Sequence, residues 1–141
     1  MNAAVKTAAA LLGGLAFFAA HAQEGAAMNI VVKSDAHEVV CTLNSSRAAQ
    51  SLLAQLPLTL DISDYARQEK TFSPPRKLDT SGAQPDDGSR GTLAYFAPWN
   101  TVVLFYKDSG PYSWRYGLGT CTQGADAIEK LRGRVSISVQ P

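Results

Sequence analysis

Leu93–Asp108 reads LAYFAPWNTVVLFYKD, and this stretch decides the fold. It holds two apolar, aromatic-rich runs, Leu93–Ala97 and Thr101–Tyr106, separated by Pro98-Trp99-Asn100. Short runs of β-branched and aromatic residues on either side of a turn word read as paired strands. They are the central strands of the domain. Alternation places Tyr95 and Ala97 on one face and Ala94 and Phe96 on the other.

Working outward, the same period-2 pattern recurs. Upstream, Met28–Lys33 and His37–Leu43 form a hairpin around Ser34–Ala36, with Val39, Cys41 and Leu43 inward. Ala48, Ala49, Leu52, Leu53 and Leu56 fall at helical spacing, so Arg47–Leu56 reads as a helix capped by Asn44 or Ser45 and stopped by Pro57. Leu58, Leu60 and Ile62 alternate with Thr59, Asp61 and Ser63 as another strand. Residues 64–90 are the least regular, with Pro74-Pro75 and the turn-rich Ser81–Gly88; a loop this long in a small domain is functional or mobile. Downstream, Gly110–Trp114 is a loop and Tyr116–Cys121 a short strand. Ala125–Arg132 reads as a short helix ending at Gly133, and Val135, Ile137 and Val139 face one way on a closing strand. About seven strands and two helices that do not alternate predict a mainly β fold, a barrel or sandwich with helical plugs. A doubly wound α/β fold is excluded on the same ground.

The chain of 141 residues has room for one domain, and 45% hydrophobic with 18% charged residues makes it globular rather than disordered. A net charge of +1 excludes a strongly basic nucleic-acid binder, so no nucleic acid is expected as partner. Residues 1–22 read as a secretory signal peptide: Lys6 is the positive segment, Thr7–Ala20 an uncharged apolar run, and Ala20-His21-Ala22 the small-x-small cleavage word. That apolar run is 14 residues long, short of the roughly 20 needed to span a bilayer, so no stable membrane insertion is expected after cleavage. Residues 23–27 are a short lead and 28–140 the folded domain. The protein is accordingly expected to be periplasmic or secreted. Removing the leader balances acidic and basic groups and leaves a single histidine, His37, in the turn-like Ser34–Glu38, where a solvated side chain is expected. Two cysteines and so few histidines do not make a structural zinc site, and neither a metal nor a cofactor is expected. In an oxidising compartment Cys41 and Cys121 are disulfide candidates. The alternative is two buried thiols acting as small hydrophobes.

Four words resemble the bacterial cyclophilin-like proteins, a small family distinct from the true cyclophilins: Leu56–Leu60 (LPLTL), Pro75–Asp79 (PRKLD), Leu93–Trp99 (LAYFAPW) and Leu104–Asp108 (LFYKD). The resemblance covers residues 28–140. It implies a closed β-barrel with two short helices, and it carries no common reaction. True cyclophilins are peptidyl-prolyl isomerases, in which an arginine holds the prolyl carbonyl and lowers an amide-rotation barrier of roughly 18–20 kcal/mol. Their Phe-His-Arg and Gln-Gly-Gly-Asp words do not occur here.

The candidate ligand-binding residues are Arg76, Tyr95, Trp99, Tyr106 and Tyr112. Arg76, after Pro74-Pro75, is a fork for a carboxylate, phosphate or peptide carbonyl, or an anchor for its own loop. Tyr95, Trp99 and Tyr106 belong to an aromatic cluster whose polar tips suit a pocket wall, against the plainer reading of barrel core. Tyr112 and Trp114 lie in a loop flanked by glycine and proline. No carboxylate pair stands out for acid–base work: Asp61, Asp64 and Glu69 are near one another in sequence, and carboxylates at turns usually cap or hydrate. Asp86-Asp87-Gly88 lacks the ligand spacing of a calcium loop. With no catalytic constellation, the expected function is a non-catalytic binding module holding a small molecule or peptide segment in a cleft of Tyr95, Trp99 and Arg76. The alternative is a divergent prolyl isomerase with Arg76 as the carbonyl clamp. Composition does not set an oligomeric state.

Overall fold

The computed structural model describes residues 27–141; the signal-peptide reading of residues 1–22 falls outside the described residues. Eight strands run in chain order as β1 (Asn29–Lys33), β2 (Glu38–Leu43), β3 (Leu58–Tyr65), β4 (Glu69–Phe72), β5 (Thr92–Phe96), β6 (Thr101–Phe105), β7 (Arg115–Gln123) and β8 (Gly133–Val139). They close into an antiparallel barrel in the order β1-β2-β7-β5-β6-β4-β3-β8, with β8 pairing back onto β1. Helix α1 (Arg47–Leu53) and the 3₁₀ helices Ala97–Trp99 and Ala125–Lys130 lie outside the sheet.

Alternation explains the interior. Ile30, Val32, Cys41, Leu43, Leu93, Tyr95, Val102, Leu104, Val135 and Ile137 all point inward and pack with Ala48, Ala49 and Leu52 of α1 and Ile128. Ala94, Val103 and Phe105 take the opposite face of β5 and β6 and form a second, smaller apolar cluster on the outside of the barrel. Phe105 is fully buried there, so something beyond the sheet covers it.

Cys41 and Cys121 are directly opposed in the register of β2 and β7 and are joined by a disulfide, with Cα atoms 3.7 Å apart. That resolves the two readings left open by the sequence. The two strands approach closely because Gly119 has no side chain: a Cβ there would sit 2.1 Å from the Thr42 carbonyl oxygen.

The sequence reading requires four corrections. The irregular stretch 64–90 contains a strand, β4, paired with β3 and β6. Its hairpin with β3 turns through Ala66 and Arg67, both at φ 54°, so it lacks the Asn-Gly or Asp-Gly signal that such positive-φ turns normally carry. Helix α1 ends at Leu53 rather than Leu56, because Gln55 and Leu56 donate to Leu52 and Leu53 in tighter i+3 bonds. Its cap is Ser46, whose Oγ accepts from the Ala49 N–H; Asn44 acts one step back, accepting from the Ser46 N–H and hydroxyl. The second helix is a 3₁₀ helix that stops at Lys130.

Residues 73–91 hold their place without regular structure. Ser51 and Gln55 of the α1 end bond the backbone of Asp79 and Arg76, Tyr95 Oη accepts from the Leu78 N–H, and Pro85 bridges to Tyr116.

Candidate functional site

The outer face of β4, β6 and β5 carries a groove of about 420 Å³. Its floor is built from outward positions: Glu69 and Thr71 on β4, Thr101 and Val103 on β6, and Phe96 on β5. Tyr65 at the end of β3 lies opposite Glu69 in the strand register and supplies one wall. Trp99, from the 3₁₀ helix Ala97–Trp99, supplies another, and Tyr112 and Arg115 close the far end.

The aromatic walls touch in series. Tyr65 and Trp99 meet edge to face at 6.0 Å between centroids, Trp99 and Phe96 at 5.2 Å, and Phe96 and Tyr112 at 5.8 Å. Such T-shaped contacts are favourable and leave ring faces open. Trp99 is 61% exposed and Tyr112 63%. Trp99 is held out by its neighbour: Asn100 adopts φ 48°, its Oδ1 accepts from the Tyr95 hydroxyl at 2.8 Å, and its Nδ2 donates to the Pro74 carbonyl at 3.0 Å.

Arg115 is the buried cation of the groove. Its Nε donates to Asp86 Oδ1 at 2.8 Å, a second nitrogen donates to the Gly110 carbonyl, and its guanidinium lies 4.6 Å from the Phe105 ring centroid and 5.9 Å from that of Tyr112. Arg115 and its neighbours thus cover Phe105. Asp86 is oriented in turn by the Gly88 N–H at 2.8 Å. Gly88 sits at φ 70°, and a Cβ there would meet the Gly110 oxygen at 2.1 Å and an Arg115 nitrogen at 2.7 Å. The long loop therefore has a structural task, which is to bring a counter-ion to Arg115.

Glu69 is the buried carboxyl of the groove. It is 9% exposed and accepts no hydrogen bond from any described residue. Burial holds its carboxyl above the ordinary glutamate value, because loss of water outweighs the attraction of Arg115, and Asp86 and Asp64 push the same way.

A second, shallower cavity of about 380 Å³ opens at one end of the barrel, between Ile62, Asp64, Lys70, Tyr106 and Leu131. Lys70 is the inward neighbour of Glu69 on β4, and its ammonium lies 3.2 Å from Asp64. The Tyr106 hydroxyl donates to Asp64 at 2.7 Å. That hydrogen bond and the lysine hold Asp64 below the usual carboxylate range, while burial and the Asp64 charge raise Tyr106 to about 12.

The five candidates therefore separate. Trp99 and Tyr112 share the outer groove. Tyr106 belongs to the barrel end. Tyr95 is 1% exposed inside the barrel, where its hydroxyl ties Leu78 to Asn100. Arg76 is exposed and lines neither cavity; its backbone is clasped by Gln55. The expected cleft of Tyr95, Trp99 and Arg76 is not formed, because β5 turns Tyr95 inward and Trp99 stands outside. Tyr65, Glu69 and Arg115 were not legible as site residues. Only the alternation of β3 toward Tyr65 pointed outward, and nothing local marks Arg115 as the partner of Asp86.

The molecule is thus a closed antiparallel barrel with an apolar, filled interior and a groove on its outer face. Residues 32–140 match the Cyclophilin-like family, and the chain belongs to it. The fold is also similar to the solution structure of a hypothetical protein from Archaeoglobus fulgidus, with a TM-score of 0.63 at 14% identity, covering 82% of this chain and 97% of that one. No curated protein matches the sequence.

Proposed function

We propose that the chain is an exported, non-catalytic binding module whose ligand, a small molecule or peptide segment, occupies the groove over β4, β6 and β5. The observation that carries this reading is the open aromatic wall: Tyr65, Trp99 and Tyr112 are 49%, 61% and 63% exposed around a floor of mixed polar and apolar side chains. Large aromatic faces left to solvent around one concavity favour a ligand over solvent. Export to the periplasm or medium is supported by the leader-like residues 1–22 and by the Cys41–Cys121 bridge, which persists in an oxidising compartment.

The test uses residues 23–141 carrying Trp114→Phe, which leaves Trp99 as the single tryptophan. Titration with a panel of metabolites and short peptides is expected to shift or quench Trp99 emission for at least one chemical class. Silence across the panel, with calorimetry also flat, sinks the reading. A prolyl-peptide assay of the same protein is expected to run at the uncatalysed rate.

A further inference from the structure

Besides Arg67 in its turn, five charged side chains gather around the β3–β4 hairpin and the groove: Asp64, Glu69, Lys70, Asp86 and Arg115. Four of them form two pairs, Asp64 with Lys70 at 3.2 Å and Asp86 with Arg115 at 2.8 Å. Glu69 is the fifth. It is 9% exposed, lines the groove, and has neither a hydrogen-bond donor nor a cation within ion-pairing distance among the described residues. A carboxylate so placed is costly to bury, and the attraction of Arg115 offsets only part of that cost.

The rings around it divide in the same way. Phe105 and Tyr112 already face the Arg115 guanidinium. Tyr65, Trp99 and Phe96 have no cation over them among the described residues, and Tyr65 is the direct cross-strand neighbour of Glu69. An unpaired carboxylate beside free aromatic faces has the chemistry that recognises an organic cation.

We infer that the groove binds an alkylammonium ligand, its cationic nitrogen seated between Glu69 and the Tyr65–Trp99 wall. This rests on the groove being the ligand site. Arg115, over the ring of Phe105 across the strand from Glu69, attracts the carboxyl, and its pairing with Asp86 at 2.8 Å offsets only part of that positive charge. The charged groups around Glu69 are Arg115 from β7, Asp86 from the long loop and Asp64 from β3, and the last two add negative potential. Because burial favours the protonated Glu69, a bound cation draws the proton off, and affinity rises with pH across the range in which Glu69 ionises.

The probes are choline and its uncharged isostere 3,3-dimethylbutan-1-ol, titrated by NMR on the Trp99 indole signal at neutral pH. Choline is expected to bind about ten-fold more tightly than the alcohol, and Glu69→Gln to remove that preference. Trp99→Leu, which removes the NMR reporter and is therefore followed by calorimetry, is the second variant and is expected to weaken choline more than the alcohol. Equal affinity of the two probes for the unmodified protein overturns the inference, as does a choline preference that survives Glu69→Gln. Binding of the alcohol or of indole without choline leaves the groove as a ligand site and removes only its cation specificity. No shift with choline, the alcohol or indole removes both.

Discussion

Glu69 and Arg115 line one groove without pairing. The guanidinium turns away toward Asp86 at 2.8 Å and the Gly110 carbonyl, and the carboxyl is left facing the cavity with no donor. The arrangement separates a structural charge pair from a free charge within one small site. The free charge is the one available to a ligand.

Removing Glu69 is expected to stabilise the protein. A carboxyl whose folded value is raised contributes stability that is fully present below its unfolded value, near 4.5, and lost as pH rises through the folded value. At neutral pH the ionised group is therefore a net cost. Glu69→Gln should raise the denaturation midpoint at pH 7 by the equivalent of roughly 0.5–2 kcal/mol and change it little at pH 4. A loss of stability at pH 7 would identify Glu69 as a packing residue instead.

Arg115 should behave in the opposite sense. Its side chain and that of Asp86 are 6% and 1% exposed, so deleting one partner strands a buried charge. Arg115→Met or Asp86→Asn is expected to cost about 3–5 kcal/mol in chemical denaturation, and the double variant clearly less than the sum of the two. Additive losses would show that the two residues act independently.

Trp99 is an exposed residue in contact with Tyr65 and Phe96. Trp99→Ala should leave stability within about 1 kcal/mol of the parent, as surface substitutions do, while reducing groove binding about ten-fold or more. Trp114→Phe, at a position outside the groove, should leave binding unchanged; parallel calorimetric titrations of both variants check this.

Tyr106 should be among the last tyrosines to ionise. Its value of about 12 means that it favours the folded state fully below pH 10 and that this contribution is lost as pH rises through about 12. Absorbance at alkaline pH, compared with Tyr106→Phe, reads its ionisation directly. The same variant frees Asp64 of its principal hydrogen bond and should raise the Asp64 value toward that of an ordinary aspartate, seen by carboxyl NMR.

The Cys41–Cys121 bridge spans a sequence separation of 80 residues. Loop-closure entropy puts its contribution at roughly 4–5 kcal/mol, with measured losses for native bridges of about 2–5 kcal/mol. Reduction, or the Cys41→Ala/Cys121→Ala pair, is expected to lower thermal stability by that order. An unchanged melting temperature in reductant would exclude a structural role.

The strands with one buried face were legible because their side chains alternate: Leu58–Leu60–Ile62 and Val135–Ile137–Val139 declare an inside and an outside. Strand β4 does not. Glu69 and Lys70 put a charge on each face, yet both are buried, so the strand shows no polar outside. Trp99 and Tyr112 were legible because large aromatics beside proline and glycine sit where the chain turns outward. Arg115 was hidden between Trp114 and Tyr116, with its counter-ion 29 positions away. Tyr95 and Trp99 are neighbours in sequence but lie on opposite sides of the sheet. A reading of adjacent words joins such residues, whereas the barrel wall separates them.

The closing seam of the barrel lies as far from the groove as the ring allows. Strands β1 and β8 pair side by side, Gln140 donating through its backbone to the Asn29 carbonyl, and β6 stands four places around from β1. A tag, surface tether or fused second domain attached at either end of the barrel would therefore emerge on the side away from the groove. With the two ends in contact, a short linker between them would also permit circular permutants opened at an exposed loop while the groove strands stay continuous.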